Sequence, residues 1–268
     1  MSFWKLAFVT GGGSGIGRAM AVLLMEQGTS VAVFDRSDSP EARSQLQEVA
    51  ARYKGVRCEF YKADVTDNTA VVTAVEAAVA EMGAPDFALN CAGIQIAKHF
   101  EGLSQEEFEQ VVGVNLFGSR NFAAATLPHM TEGAQFALMA SLAGLVGSYS
   151  YSAYNASKHA VVGLAIALRL DYIERGIEVS VICPPEINTP MVVEERKTIS
   201  PAGAKLKDAA GSLELGPACD YMIKKLQSRE FMIVPGFKAR AVTRIARWFP
   251  NMMRAFSERT VISTLRKT

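Results

Sequence analysis

The apolar run KLAFVT (5–10) ends in TGGGSGIG (10–17), and a helical pattern follows at once over 15–27. Few folds accommodate a glycine-rich turn wedged between a strand and a helix. The chain must reverse tightly there, and the first amides of the helix are left facing outward without intrahelical partners. The alternation then repeats. SVAVFD (30–35), VRCEFY (56–61), DFALN (86–90), AQFALMAS (134–141) and IEVSVIC (177–183) read as short strands, separated by helical patterns over 39–53, 67–83, 104–130 and 152–175. Nearly continuous apolar strands alternating with helices predict a parallel sheet covered on both faces.

The expected architecture is α/β: a single doubly wound, Rossmann-type domain with a mostly parallel sheet over 1–237, including a substrate-loop region at about 185–215, and a C-terminal helical extension over 238–268. No repeat or linker divides the 268 residues, a length that one such domain fills. With 49% hydrophobic residues and a formal net charge of +1, this is neither a disordered chain nor a nucleic-acid coat, and no nucleic-acid partner is expected. Cys58, Cys91, Cys183 and Cys219 are scattered, with no C-x-x-C pair or histidine cluster. That suits reduced thiols in the cytoplasm better than disulfides, and no metal is expected. The N-terminal apolar run is too short for a signal peptide or a membrane span.

In the first turn Gly11 permits the reversal, Gly15 lets backbone approach a phosphate, and Gly17 lets the helix pack on the strand. The spacing is G-x-x-x-G-x-G. Asp35 closes the second strand about twenty residues on, where a carboxylate accepts both hydroxyls of an adenosine ribose and repels a 2′-phosphate. This favours NAD over NADP. Arg36 beside it can cover the adenine or neutralise such a phosphate. Asp64, ending the third strand, is a candidate for the adenine amino group, and NCAG (90–93) supplies small residues where backbone approaches a planar ligand.

The stretch SYSYSAYNASKHAVVGL (148–164) carries the chemistry. A phenol with an ordinary pKa of about 10 is a poor base unless a cation favours the phenolate. Of Tyr149, Tyr151 and Tyr154, only Tyr154 has a cation four residues on, Lys158, on the same helical face. Tyr154 is the expected general acid/base, with Lys158 lowering its pKa and holding the nicotinamide ribose. Ser141, closing the fifth strand, can hydrogen-bond a substrate oxygen. Asn115, polar within an apolar helical run, predicts a kink there and a water link to Lys158. His99 is a candidate lining residue of the substrate cleft, His129 ends a helix and His159 follows Lys158; none has an acid partner suited to a hydrolytic triad.

T-G-x-x-x-G-I-G, Asp64, N-x-A-G, Asn115, Ser141 and Y-x-x-x-K, in this order over about residues 5–190, resemble the short-chain dehydrogenase/reductase family. The resemblance implies hydride transfer between NAD(P) and a secondary alcohol or ketone by a tetrad of Asn115, Ser141, Tyr154 and Lys158. It implies cofactor contacts from Gly11, Ser14, Gly15, Ile16, Gly17, Asp35, Arg36, Asp64, Val65, Asn90, Ala92, Gly93, Tyr154, Lys158, Pro184, Ile187 and Thr189. It also implies a homodimer or homotetramer built through 104–130 and 152–175. One departure is Pro184-Pro185 where the family has Pro-Gly; Pro185 lacks an amide hydrogen and stiffens the loop. The double proline, the segment 194–211 and FMIVPGF (231–237) resemble the 3-ketodihydrosphingosine reductase branch. That branch handles long-chain lipid substrates and generally uses NADPH, against the NAD reading of Asp35. The substrate is thus expected to be hydrophobic or lipid-like. The rival readings are a 3-oxoacyl-thioester reductase and a non-catalytic dinucleotide-sensing scaffold.

Residues 238–268 hold eight Lys/Arg against one acid, Glu258. In FKARAVTRIARWFPNMMRAF (237–256), Arg240, Arg244 and Arg247 fall at helical spacing, apolar bulk lies between them, and Pro250 interrupts the run. A basic amphipathic helix predicts peripheral membrane contact through 238–256. The alternative is a helix packed on its own domain or on a neighbouring subunit.

Overall fold

The computed structural model describes residues 2–37 and 39–267. Its strands are β1 (Leu6–Thr10), β2 (Ser30–Asp35), β3 (Cys58–Lys62), β4 (Phe87–Asn90), β5 (Gln135–Met139), β6 (Glu178–Ile182), β7 (Glu186–Ile187), β8 (Ser212–Leu213) and β9 (Met232–Ile233). Its α-helices are α1 (Gly15–Glu26), α2 (Pro40–Ala51), α3 (Asn68–Met82), α4 (Gln105–Val112), α5 (Gly118–Thr126), α6 (Ser152–Asp171), α7 (Pro190–Glu195), α8 (Pro201–Ala210), α9 (Leu215–Gln227), α10 (Phe237–Trp248) and α11 (Pro250–Leu265). Seven strands form one parallel sheet in the order β3-β2-β1-β4-β5-β6-β9, and β7 pairs with β8 apart from it.

Alternate residues of a strand face opposite sides of the sheet, so a strand buried on both faces needs apolar residues throughout. In β1, Leu6 and Phe8 enter one apolar layer with Phe34, Phe122 and Phe136, while Ala7 and Val9 enter the other with Met20, Leu24, Phe87 and Leu226. The chain winds outward from β1 through β2 to β3, then returns to the other side of β1 as β4. The reversal opens a crevice beyond the carboxyl ends of β1 and β4, where a doubly wound sheet binds its ligand.

The single helix expected over 104–130 is two helices instead. A π-helical turn, Gly113–Phe117, separates α4 from α5, and a 3₁₀ turn, Leu127–His129, ends the segment. Asn115 lies in that π turn, fully buried, and its side chain bonds outside its own helix. The C-terminal run breaks at Pro250, which takes the first turn of α11, where a missing amide hydrogen costs nothing. Both α10 and α11 pack on α8. Arg240 does not share an exposed face with Arg244 and Arg247: it is half-buried and donates to the Tyr221 hydroxyl (3.0 Å).

Candidate active site

Gly11 and Gly15 hold the β1–α1 turn at φ +65° and +53°. A Cβ on Gly17 would lie 2.3 Å from the Gly11 carbonyl oxygen, so any side chain there would force α1 away from the turn. In front of α1 the space is open. A Cβ built on Gly15 meets nothing within 4 Å, and Ser14, the N-cap, makes no side-chain cap bond. First-turn amides facing an open cleft are the setting a phosphate fits. Gly11, Ser14, Gly15, Ile16 and Gly17 line one cleft together with Asp35, Arg36, Asp64, Val65, Ala92 and Gly93. The Asp35 carboxylate is held there by the backbone N–H groups of Gly13 and Ser37, each 3.0 Å away. Bonds from the Thr66 amide and hydroxyl, with Arg36 nearby, keep the Asp64 carboxyl below its ordinary range.

The same cleft continues to Ser141, Tyr154, Lys158, Pro184, Ile187 and Thr189. Ser141 follows β5 in extended backbone, and its Oγ accepts the Ala143 N–H (3.1 Å). Lys158 is buried; its Nζ donates to the Met139 carbonyl (2.9 Å) and lies 5.7 Å from the centre of the Tyr154 ring. Loss of hydration lowers the Lys158 pKa to about 8. Burial likewise pushes the Tyr154 phenol above its ordinary value, opposed by its hydrogen bond with Ser141. The expectation that Lys158 brings the phenol pKa down is therefore corrected: burial is the larger effect. At neutral pH Tyr154 is a protonated phenol, ready to donate.

Three expected residues, Asn90, Asn115 and His99, stand outside the cleft lining. Asn90 is buried in protein, accepting from the Thr10 hydroxyl (3.0 Å) and donating to Ser119 Oγ (2.7 Å), so its side chain braces β1 and α5 rather than meeting a cofactor. Asn115 braces the cleft from behind. Its Oδ1 accepts the Ile94 N–H (2.9 Å), and its Nδ2 donates to the Ile94 carbonyl and to Ser157 Oγ (2.9 Å each). A Cβ on Gly93 would come within 3.1 Å of Asn115 Oδ1 and 3.3 Å of Lys158 Nζ, so glycine is what lets both polar groups converge on this wall. His99 is exposed, beside Tyr149 (ring centres 6.0 Å apart), and does not line the cleft. His129 ends its 3₁₀ turn, and His159 is exposed on α6. Cys91 does line the cleft, but burial lifts its thiol to about 12 and leaves it a poor nucleophile.

A knot of charge beside Tyr154 has no counterpart in the sequence reading. Glu195, at the end of α7, is buried and accepts from the Tyr151 hydroxyl, from Lys207 and from Gln95 Nε2 (2.5 Å). Lys207 also lies over the Tyr151 ring (4.9 Å) and 3.5 Å from Glu186, which Arg196 grips with two bonds (2.7 and 3.0 Å). Five separate segments are joined here: the loop after β4, the start of α6, the start of β7, and the helices α7 and α8. Farther along the cleft, Leu142, Val146, Leu206, Val242, Met253 and Phe256 make an apolar wall.

A glycine turn on an open helix N-terminus, sharing one cleft with Ser141, Tyr154 and Lys158, is matched by the family model for short chain dehydrogenase over residues 5–200. The chain belongs to the short-chain dehydrogenase family. Among curated relatives it is 34% identical over 241 residues to a 3-dehydrosphinganine reductase, TSC10B, of Arabidopsis thaliana, covering 87% of this chain and 70% of that protein. Among solved structures, a short-chain dehydrogenase/reductase from Burkholderia phymatum in complex with NAD superimposes with a TM-score of 0.80 at 26% identity, covering 92% of this chain and 94% of that one. A blue fluorescent protein from a metagenomic library, in complex with NADPH, gives 0.76 at 27% identity, covering 86% and 96%. Among the described residues, no group of three or more His, Cys, Asp or Glu is placed to hold a metal, and no helix is long and apolar enough to cross a membrane.

Proposed function

We propose that this family member is an oxidoreductase for a hydrophobic, lipid-like secondary alcohol or its ketone, with a nicotinamide dinucleotide as partner. The observation that carries this reading is that Ser141, Tyr154 and Lys158 line the same cleft as the 11–17 turn and Asp35. The cofactor fits the residues present: open first-turn amides for the pyrophosphate, and Asp35 for the adenosine ribose. NAD is the favoured form because Asp35 is fixed at the cleft by two amides. When bound, the nicotinamide supplies or accepts the hydride. Ser141 holds the substrate oxygen, Tyr154 gives its proton to a ketone or receives one from an alcohol, and Lys158 sustains the charge beside it. Asn115 acts at one remove, fixing the 94 backbone and Ser157 that frame Lys158. The apolar far wall and the similarity to a 3-dehydrosphinganine reductase support a lipid-like substrate. Exposed Ile166 and Leu170 on α6, with exposed Ile173 just beyond its end, support a homodimer or homotetramer through this helix. Titration with NADH and NADPH, followed by assays of ketones and alcohols of graded chain length, tests the reading. No turnover of any of them with either cofactor would sink it.

A further inference from the structure

The far end of the catalytic cleft does not close on the body of the domain. Val146, Gly147, Ser148, Leu206, Met253 and Ser257 line it there, and the same six residues also line an adjoining cavity of about 610 Å³. That volume lies within the roughly 300–1,000 Å³ of small-molecule sites. The second cavity is walled by the loop after Ser141 and by both C-terminal helices, with Leu145 on the loop, Ala246 on α10, and Val261 and Ile262 on α11. Charge is confined to its rim, where Arg254 pairs with Glu258 one turn on (3.6 Å), both exposed. From Met253 to Ile262 the helix rises about 13 Å at 1.5 Å per residue. The two cavities thus run together as one passage, polar at Ser141 and Tyr154 and mainly apolar beyond them, with Ser148 and Ser257 among the shared residues and Arg254 and Glu258 at the rim.

We infer that this passage holds the unbranched alkyl tail of the substrate, threaded between α8 and α11 while its reacting carbon sits at Ser141 and Tyr154. The inference rests on the oxidoreductase reading for the position of the reacting carbon. It adds that the C-terminal extension is part of the substrate site and sets chain-length preference. Its continuity with the cleft identifies the occupant, because a tail leaving Tyr154 along the apolar wall reaches the six shared residues next. A bulky polar or ring-shaped extension at that end would meet Leu206 and Met253 instead.

The test separates binding from turnover. Butanone and dodecan-2-one are titrated calorimetrically into the protein saturated with NADH or NADPH, whichever binds more tightly. Ala246→Trp and, as a second plug on the other helix should the first fail to fold, Ile262→Trp are treated alike. In the wild type, dodecan-2-one is expected to bind at least a hundredfold more tightly than butanone, since each buried methylene contributes about fourfold. In a folded plugged variant that ratio falls at least tenfold. An equal affinity of the wild type for the two ketones, or a ratio that survives both plugs, overturns the passage. Tight, plug-sensitive binding without turnover of any alcohol or ketone would instead keep the passage and overturn the oxidoreductase reading.

Discussion

Lys158 is an ammonium inside the protein that donates to the Met139 carbonyl. Its pKa of about 8 lies below the ordinary value of about 10.4, so burial penalises the charged form. Below pH 8 the lysine is charged both folded and unfolded, and folding bears that penalty in full. Between about 8 and 10.4 the folded protein gives up the proton first, the unfolded chain binds more protons, and stability rises with pH. Lys158→Met is therefore expected to raise the melting temperature at pH 7, with a gain that shrinks toward pH 10, while abolishing turnover; thermal melts at both pH values check it. Tyr154→Phe should leave cofactor affinity unchanged and lower turnover at least the roughly hundredfold that a general acid contributes. Near-normal turnover would remove Tyr154 from the chemistry. Asp35→Ala should improve NADP(H) binding relative to NAD(H), because the carboxylate that meets the ribose also repels a 2′-phosphate. Dissociation constants for both cofactors on both proteins decide it, and a wild type that prefers NADPH would show Arg36 outweighing Asp35.

At the scale of elements, the knot around Glu195 joins α7 and α8 to the start of α6, the helix that carries Tyr154 and Lys158. Buried ion pairs add little net stability, but removing one partner strands the other. Glu195→Ala is expected to cost about 3 kcal/mol and to open α7 and α8 to protease cleavage between them, raising KM more than it lowers kcat. Unchanged protease sensitivity in the folded variant would show that the knot does not hold these helices. The knot could not be read in sequence. Gln95 and Glu195 stand 100 positions apart, and Tyr151 found no cation four residues on because its cation, Lys207, comes from α8. What the pattern did carry was the sheet: strands buried on both faces are continuous apolar runs, so the expected bounds of β1 to β6 fall within two residues of those observed. The broken helix at Gly113–Phe117 was legible only as one misplaced polar residue, Asn115. Its partners are the Ile94 backbone, which leaves no trace in composition, and Ser157, 42 positions away. The spacing of Tyr154 and Lys158 is local, and the structure brings the two together in the cleft. The direction of the phenol pKa was not, because burial depends on what the rest of the chain brings around it.

For the whole molecule, the C-terminal hairpin of helices presents two different surfaces, and only one is used internally. Met253 and Ser257 turn toward α8 and the cleft, whereas Trp248, Phe249 and Met252 at the α10–α11 elbow are 73%, 60% and 54% exposed. Arg244, Arg247 and Arg254, all exposed, lie within four residues of that elbow along the chain. One side of the hairpin is thus packed on the domain, as one of the expected alternatives had it, and an apolar, basic elbow is left outside it. An elbow of this chemistry suits the head-group boundary of an anionic bilayer, where each nearby Lys or Arg contributes about 1 kcal/mol and salt weakens the attraction. Truncating the extension would also strip the wall of the cleft, so the discriminating change is local: Trp248→Glu with Phe249→Glu, on side chains that do not line the cleft. The wild type is expected to co-sediment with phosphatidylserine-containing vesicles at low salt, weakly at high salt and not with neutral vesicles. The double variant should stay in the supernatant while keeping the wild-type melting temperature and its turnover of short ketones. Equal partitioning of both proteins at low salt would rule the elbow out as the contact. Turnover of long-chain substrate presented in vesicles should fall with binding, since the elbow stands beside the rim where Arg254 and Glu258 flank the apolar passage.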